Sequence, residues 1–343
     1  MQEIIREEQY QKWISELSDK YRNSQIKAAI SVNCEMLKFY WELGRDISSL
    51  YSTSKWGSSF FSTLSKDLKK KIPNSKCFSP TNLRYMKRFY ELFTNFPQVG
   101  EDLYNVPWGH IKVIIDKCSF NSEKAAFFVH KVVENNWSRA LLLNFLETEL
   151  FERQGKAITN FENRLPIEYG ALAQEITKDP YNFDFLCITE KYNERELKDA
   201  LLDNIQKFLL ELGTGFAFVG REFRIQVGKT EEFIDMLFYN INLHCYVVIE
   251  VKTNSFKPGD IGQLGTYVTA VNHIIKGEKD EATIGLLICK TKDNVLAHYA
   301  TESSSQPIGI SEYQLSKMLE ENYKGTLPTI EEIEEGLNDC QLE

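Results

Sequence analysis

Two stretches decide how this chain is read: Phe233-Ile234-Asp235-Met236-Leu237-Phe238-Tyr239, and His244-Cys245-Tyr246-Val247-Val248-Ile249-Glu250-Val251-Lys252. Both are runs of β-branched, aromatic and other apolar residues, and Asn240–Leu243 between them is short and polar enough to turn a hairpin. A turn centred between Asn242 and Leu243 sets Asp235 opposite Glu250. Strand period two then puts Glu250 and Lys252 on one face. A slip of one residue would send Asp235 to the other face, so the register carries the argument.

Two carboxylates side by side on apolar strands are costly unless a cation holds them together. Oxygen ligands suit Mg²⁺ or Mn²⁺. Such an ion lowers the pKa of a bound water and shields the charge that grows on phosphorus. Lys252 is placed to orient or deprotonate that water, or to neutralise the phosphate. These are the parts of phosphodiester hydrolysis. A bare Glu-x-Lys also suits a solvated sheet edge. Asp235 at the opposed position favours chemistry, as do Gln263 and Tyr267, which stand at i and i+4 on the following helix.

Working outward, Glu194 to Leu212 reads as one helix, with Leu197, Leu201, Ile205, Phe208, Leu209 and Leu212 on one side. Strands follow at Phe216–Val227, Glu232–Tyr239 and His244–Lys252, then a helix from about Asp260 to His273 and a strand Thr283–Lys290. The order is αβββαβ. Gly213-x-Gly215 follows a helix and enters a strand, the reverse of a pyrophosphate-binding loop, and reads as helix termination. GxxxxGK[ST] and GxSxG are absent, and the five histidines lack metal-site spacing.

The order Asp235, Glu250-x-Lys252, Gln263-x-x-x-Tyr267 resembles the PD-(D/E)xK nuclease superfamily in its RecB-like branch. The run from Phe208 through Gly213-Thr214-Gly215-Phe216 to Gly220-Arg221 resembles the YhcG-like family more narrowly. So do Phe256-Lys257-Pro258, Gly262-Gln263 and Ile284–Lys290. In the first half the similarity continues in Tyr40-Trp41-Glu42-Leu43-Gly44-Arg45, Asn82-Leu83, Pro107-Trp108-Gly109-His110 and Trp137-Ser138-Arg139. Lys178-Asp179-Pro180-Tyr181 extends it across the junction. The resemblance implies metal ligation by Asp235 and Glu250, the catalytic lysine role for Lys252, and support from Gln263 and Tyr267. Two positions depart from the family pattern. Glu222 stands where Gln is usual. Lys198 occupies a first-helix position where an acid is common, with Glu194, Glu196 or Asp199 as substitutes.

The chain has 343 residues, room for two domains, and 43% hydrophobic residues, enough to build a core in each. A net charge of −9 hides an asymmetry. Residues 1–170 hold 24 Lys+Arg against 20 Asp+Glu, whereas residues 171–343 hold 16 against 29. Residues 51–90 carry nine basic residues and one acid, Asp67, a local patch suited to phosphate. The first half reads as helical. Ile26, Ile30, Leu37 and Trp41 share a face, one helix runs over about Ser59–Lys71, and another opens at Ser79-Pro80 and runs to about Phe93. A further helix starts near Ser138. Two helices with a basic, capped second member suggest a helix-turn-helix or winged module. Lys69, Lys70, Lys71, Asn82, Arg84, Lys87, Arg88 and, in the second half, Arg221 are its candidate nucleic-acid contacts.

The expected fold class is α+β. It comprises a helical N-terminal nucleic-acid-binding domain (1–165), a connector (166–182), an α/β restriction-endonuclease-like domain with a mixed central sheet (183–325) and an acidic tail (326–343). The last sixteen residues hold six acids and no Lys or Arg. No run approaches the ~20 apolar residues of a membrane span, and the N-terminus does not read as a signal peptide. Seven scattered cysteines without a CxxC read as reduced core thiols. The expectations are a cytoplasmic, Mg²⁺- or Mn²⁺-dependent nuclease acting on DNA, with a homodimer plausible because cutting two strands takes two sites. A binding or assembly protein with an inactive nuclease fold is the alternative.

Overall fold

The computed structural model describes residues 2–53, 59–73, 75, 77–94, 100, 102–188 and 191–315, so the acidic tail lies outside the described residues. The chain forms two compact units, Met1–Phe151 and Glu152–Glu343. Among the described residues no helix is long and apolar enough to cross a membrane.

The first unit contains α1 (Gln2–Thr53), α2 (Phe60–Lys71), α3 (Pro80–Phe93), α4 (Asp102–Asn105), α5 (Trp108–Cys118), α6 (Ser122–Asn135) and α7 (Arg139–Glu147). The short α8 (Leu150–Arg153) spans the boundary. α3 starts as its sequence dictates: the Ser79 hydroxyl accepts the Asn82 N–H, and Pro80 fills the first turn, where no N–H is needed. Its Leu83, Met86, Phe89 and Phe93 are buried against Leu37, Tyr40 and Ile47 of α1. The two helices approach so closely at Gly44 that a Cβ there would stand 2.1 Å from the Met86 carbonyl oxygen. Trp41 packs edge-on to Phe89 and Tyr90. Ile26 and Ile30 share the apolar spacing of Leu37 but are exposed, because α1 runs on past the part that the core covers. The described residues of this unit form helices and no strand, so they carry no wing.

The second unit begins with β1 (Ile158–Thr159), α9 (Phe161–Arg164), α10 (Ile167–Glu175) and β2 (Tyr181–Asn182). The stretch 166–182, read as a connector, therefore holds a helix and a strand of this unit. There follow α11 (Glu194–Asp203), α12 (Ile205–Leu212), β3 (Phe216–Val227), β4 (Thr230–Asn240) and β5 (Cys245–Ser255). The unit is completed by α13 (Pro258–Ile274), β6 (Ile284–Thr291), α14 (Asn294–Ser303) and β7 (Ile308–Gln314). The single helix expected over Glu194–Leu212 is broken at Asn204. The Asn204 side chain donates to the Ala200 carbonyl, competing with the helix ladder.

The sheet is mixed, in the order β1-β7-β6-β5-β4-β3, with β2 also paired to β7. β3, β4 and β5 form an antiparallel meander, whereas β5, β6 and β7 run parallel. α11 and α12 cover one face through Leu197, Leu201, Phe208 and Leu212. α13 and α14 cover the other through Leu264, Tyr267, Val268 and Ala297. With both faces covered, β5 and β6 are nearly continuous apolar runs. Cys118, Cys245 and Cys289 are buried thiols, but Cys187, despite its apolar neighbours, is exposed.

A buried polar knot joins the start of this unit to α12. Arg153 meets Glu211 at 2.5 Å and donates to the Pro180 carbonyl at 3.0 Å. Glu211 also accepts the Asn182 N–H at 2.9 Å, and Lys178 lies 3.9 Å from its second oxygen.

Candidate metal centre

β4 and β5 pair as Met236↔Ile249, Leu237↔Val248, Phe238↔Val247, Tyr239↔Tyr246 and Asn240↔Cys245, the register read from the sequence. One step further along this register, Asp235 comes opposite Glu250. The two carboxylates come together with a third, Glu194, and their ligand oxygens lie within 4.8 Å of one another.

The third acid is selected by the way α11 begins. Asn193 and Glu196 form a capping box: the Asn193 side chain accepts the Glu196 N–H, and the Glu196 carboxylate accepts the Asn193 N–H. That engages Glu196. Asp199 pairs with Arg221 at 3.3 Å and Arg195 at 3.8 Å. Glu194 remains, one helical face with Leu197 and Leu201, which anchor α11 to the sheet. Glu194 stands three and seven residues before those two leucines, a spacing that puts it on the sheet-facing side of α11 without saying what it meets there.

Two ammonium groups close on the three acids. Lys252 Nζ donates to Glu250 Oε1 at 2.8 Å and to Glu194 Oε1 at 3.3 Å. Lys198 Nζ donates to Glu194 Oε1 at 2.8 Å and makes an ion pair with Asp235 Oδ2 at 2.6 Å, without the direction of a good hydrogen bond. Lys198, where the family pattern has an acid, is thus a cation of the cluster.

Glu250 is only 1% exposed, and its Oε2 is buried with no hydrogen-bond partner. Burial first, and Asp235 second, push its carboxyl up to about 7 against the pull of Lys252. Burial would also raise Glu194, but Lys198 and Lys252 outweigh it and hold that carboxyl below its ordinary value. Burial works against the Lys252 ammonium, yet Glu250 and Glu194 raise its pKa well above the usual lysine value. Three carboxylates, with the buried oxygens Glu250 Oε2 and Asp235 Oδ2 lacking a hydrogen-bond donor, are a fitting set for a hard divalent cation.

On α13, Gln263 Nε2 donates to Tyr267 Oη at 2.9 Å. Tyr267 is buried, and burial raises its phenol, with smaller contributions from the charges of Glu250 and Asp235. The remaining candidates divide. Lys69, Lys70 and Lys71 are exposed at the end of α2, with Lys70 only loosely paired to Asp67 at 3.7 Å. Arg84 lies over the Phe61 ring. Lys87 bonds both oxygens of Glu91, and Arg88 bonds Asp116 and the Ile115 carbonyl. Asn82 accepts from Trp108 Nε1 at 2.8 Å and donates to the Cys77 carbonyl at 2.7 Å, which gives it a structural task.

Residues 174–328 match the YhcG PDDEXK nuclease domain, and residues 16–153 match the DUF1016 N-terminal domain. The protein named "Putative nuclease YhcG" in Escherichia coli (strain K12) is 26% identical over 338 residues, covering 88% of each chain. Among solved structures, "Structure of EndoMS-dsDNA2 complex" aligns at 20% identity and TM-score 0.26, over 40% of this chain and 48% of that one. A "crystal structure of a repair endonuclease from Pyrococcus abyssi" aligns at 21% identity and TM-score 0.26, over 38% and 50%. The chain spans about half the length of those two structures, and the assignment rests on the family match. Both halves are matched in chain order, the Asp235, Glu250 and Lys252 side chains are assembled, and residues 174–328 form a PD-(D/E)xK nuclease domain of the YhcG type.

Proposed function

We propose that the protein is a Mg²⁺-dependent DNase acting at the Asp235–Glu250–Lys252 centre. One observation carries the reading: the buried, unpartnered Oε2 of Glu250 beside the Asp235 and Glu194 carboxylates. These three residues would hold Mg²⁺, or Mn²⁺ in its place. A bound ion of this kind activates a water and screens charge on the scissile phosphate. Lys252 keeps its proton at neutral pH because two carboxylates share its ammonium. In that state it would serve as a hydrogen-bond donor and positive charge toward a phosphate oxygen. Gln263 gives one N–H to Tyr267, which fixes its amide plane and leaves its other N–H and its carbonyl for substrate or water.

DNA is the substrate proposed, on the family's relation to restriction-endonuclease-like enzymes. The exposed Lys69–Lys71 cluster is proposed to meet its phosphates, as is Arg221. Each chain carries one such centre among its described residues, so cleavage of both strands would call for a homodimer. The buried reduced thiols fit a cytoplasmic setting.

The test is incubation of the full chain with labelled duplex, single-stranded and branched DNA and with RNA, in Mg²⁺, Mn²⁺ or EDTA. Asp235→Ala and Lys252→Ala should each lose on the order of 10²–10⁴-fold in rate. Cleavage that survives in both variants, or in EDTA, would remove the proposed site. Tight binding without cutting on every substrate would favour the assembly role.

A further inference from the structure

The cluster holds one more cation than a three-acid, one-lysine site needs. Lys252 is matched to Glu250. Lys198 is the second cation, 2.6 Å from Asp235 Oδ2 and 2.8 Å from Glu194 Oε1. We infer that Lys198 occupies the place a second divalent cation would take, so that the centre binds one metal ion and carries its second positive charge as part of the chain. The inference rests on the metal-centre reading above and concerns its stoichiometry.

The oxygens argue for it first. A second ion would bridge Asp235 and Glu194, the two acids that already close on the Lys198 ammonium. Glu194 Oε1 accepts from Lys252 as well. Two buried oxygens of the cluster lack a hydrogen-bond donor, Asp235 Oδ2 and Glu250 Oε2, but the first already lies 2.6 Å from the Lys198 ammonium, which leaves the second. It marks one ion position.

Charge points the same way. Three carboxylates and two ammoniums sum to −1, which one dication turns to +1 and a second to +3. With Glu250 only 1% exposed, so large an excess charge is poorly screened. Lys198 also meets two acids at once. It shares a helical face with Glu194 and follows Leu197, which is fully buried. An ammonium is a compact point charge with three donors, able to stabilise a departing oxygen as a second ion does in two-metal enzymes.

The test is a Mn²⁺ titration of the EDTA-stripped full chain, with free Mn²⁺ followed by electron paramagnetic resonance and no substrate present. The wild-type chain should bind one Mn²⁺, and Lys198→Glu should bind two. Lys198→Gln, checked for folding by circular dichroism, should bind its first ion at least about tenfold tighter, because a neighbouring positive charge is gone. Two ions in the wild-type chain would overturn the inference and leave the metal centre standing. So would one ion in a folded Lys198→Glu chain, or unchanged affinity in Lys198→Gln. No binding by the wild-type chain would overturn the metal-centre reading and this inference with it.

Discussion

Glu250 and Lys252 bond to each other along one face of β5, Nζ to Oε1 at 2.8 Å, although the acid is sealed from solvent and the lysine side chain is partly open to it. The pair is lopsided as a result. Lys252 can satisfy one Glu250 oxygen, and the other stays buried beside Asp235 and without a donor.

A pH dependence follows for the metal-free protein. The folded chain keeps a proton on Glu250 up to about pH 7, whereas the unfolded chain releases it near the ordinary value of 4.5. The folded state therefore binds more protons in that window, and stability falls as pH rises from about 4.5 to about 7, then levels. In EDTA, thermal unfolding of the wild-type chain should lose on the order of 1–3 kcal/mol across this window relative to Glu250→Gln. Parallel curves for the two proteins would show that Glu250 is already ionised in the folded state. Saturating Mn²⁺ should remove the fall.

Glu211 is the acid whose removal should hurt the fold most. Glu211→Ala removes the carboxylate that faces both the buried Arg153 guanidinium and the buried Lys178 ammonium, an expected loss of about 3–5 kcal/mol. Glu211→Gln should cost less, since its amide oxygen can still accept the Asn182 N–H. All five tryptophans precede residue 140, so tryptophan fluorescence reports on the first unit. Hydrogen exchange of 178–182 and 205–212 is the suitable readout. Unchanged protection there in Glu211→Ala would show that the knot contributes little.

The basic candidates of the first unit should separate by salt dependence. Replacing Lys69, Lys70 and Lys71 by Gln should lower the slope of log affinity for DNA against log salt by up to about 3. Asn82→Ala should leave the slope alone and instead destabilise the unit by about 1–3 kcal/mol, because the Trp108 N–H loses its acceptor. An unaltered slope in the triple variant would place the phosphate contacts elsewhere.

The hairpin was readable in advance because its constraints are local. A four-residue turn and a period of two leave one register that keeps Met236, Phe238, Val247 and Ile249 on a single apolar face. The start of α3 was readable for the same reason, Ser79 and Pro80 being a complete signal. The break at Asn204 was not, since the apolar spacing runs straight through it and one side-chain bond to Ala200 decides the matter. α14 and β7 were missed, although Asp293 caps α14 by accepting the Leu296 N–H. β7 is short, and only its place between β6 and β1 shows it to be part of the sheet. The exposure of Ile26 and Ile30 depends on where the core of the first unit ends, which periodicity does not report.

By itself the sequence determined the fold class and singled out the Asp235, Glu250 and Lys252 set. Strand period, turn length and capping signals act over a few residues and survive without knowledge of the rest. Tertiary structure decided which acid of α11 joins that set, why Lys198 is a partner and not a replacement, and where Glu250 holds its proton. Those outcomes depend on desolvation and on distances between residues far apart in the chain, such as Lys252 and Glu194 at 3.3 Å across 58 positions. Such distances exist only once the sheet and α11 have closed over the site.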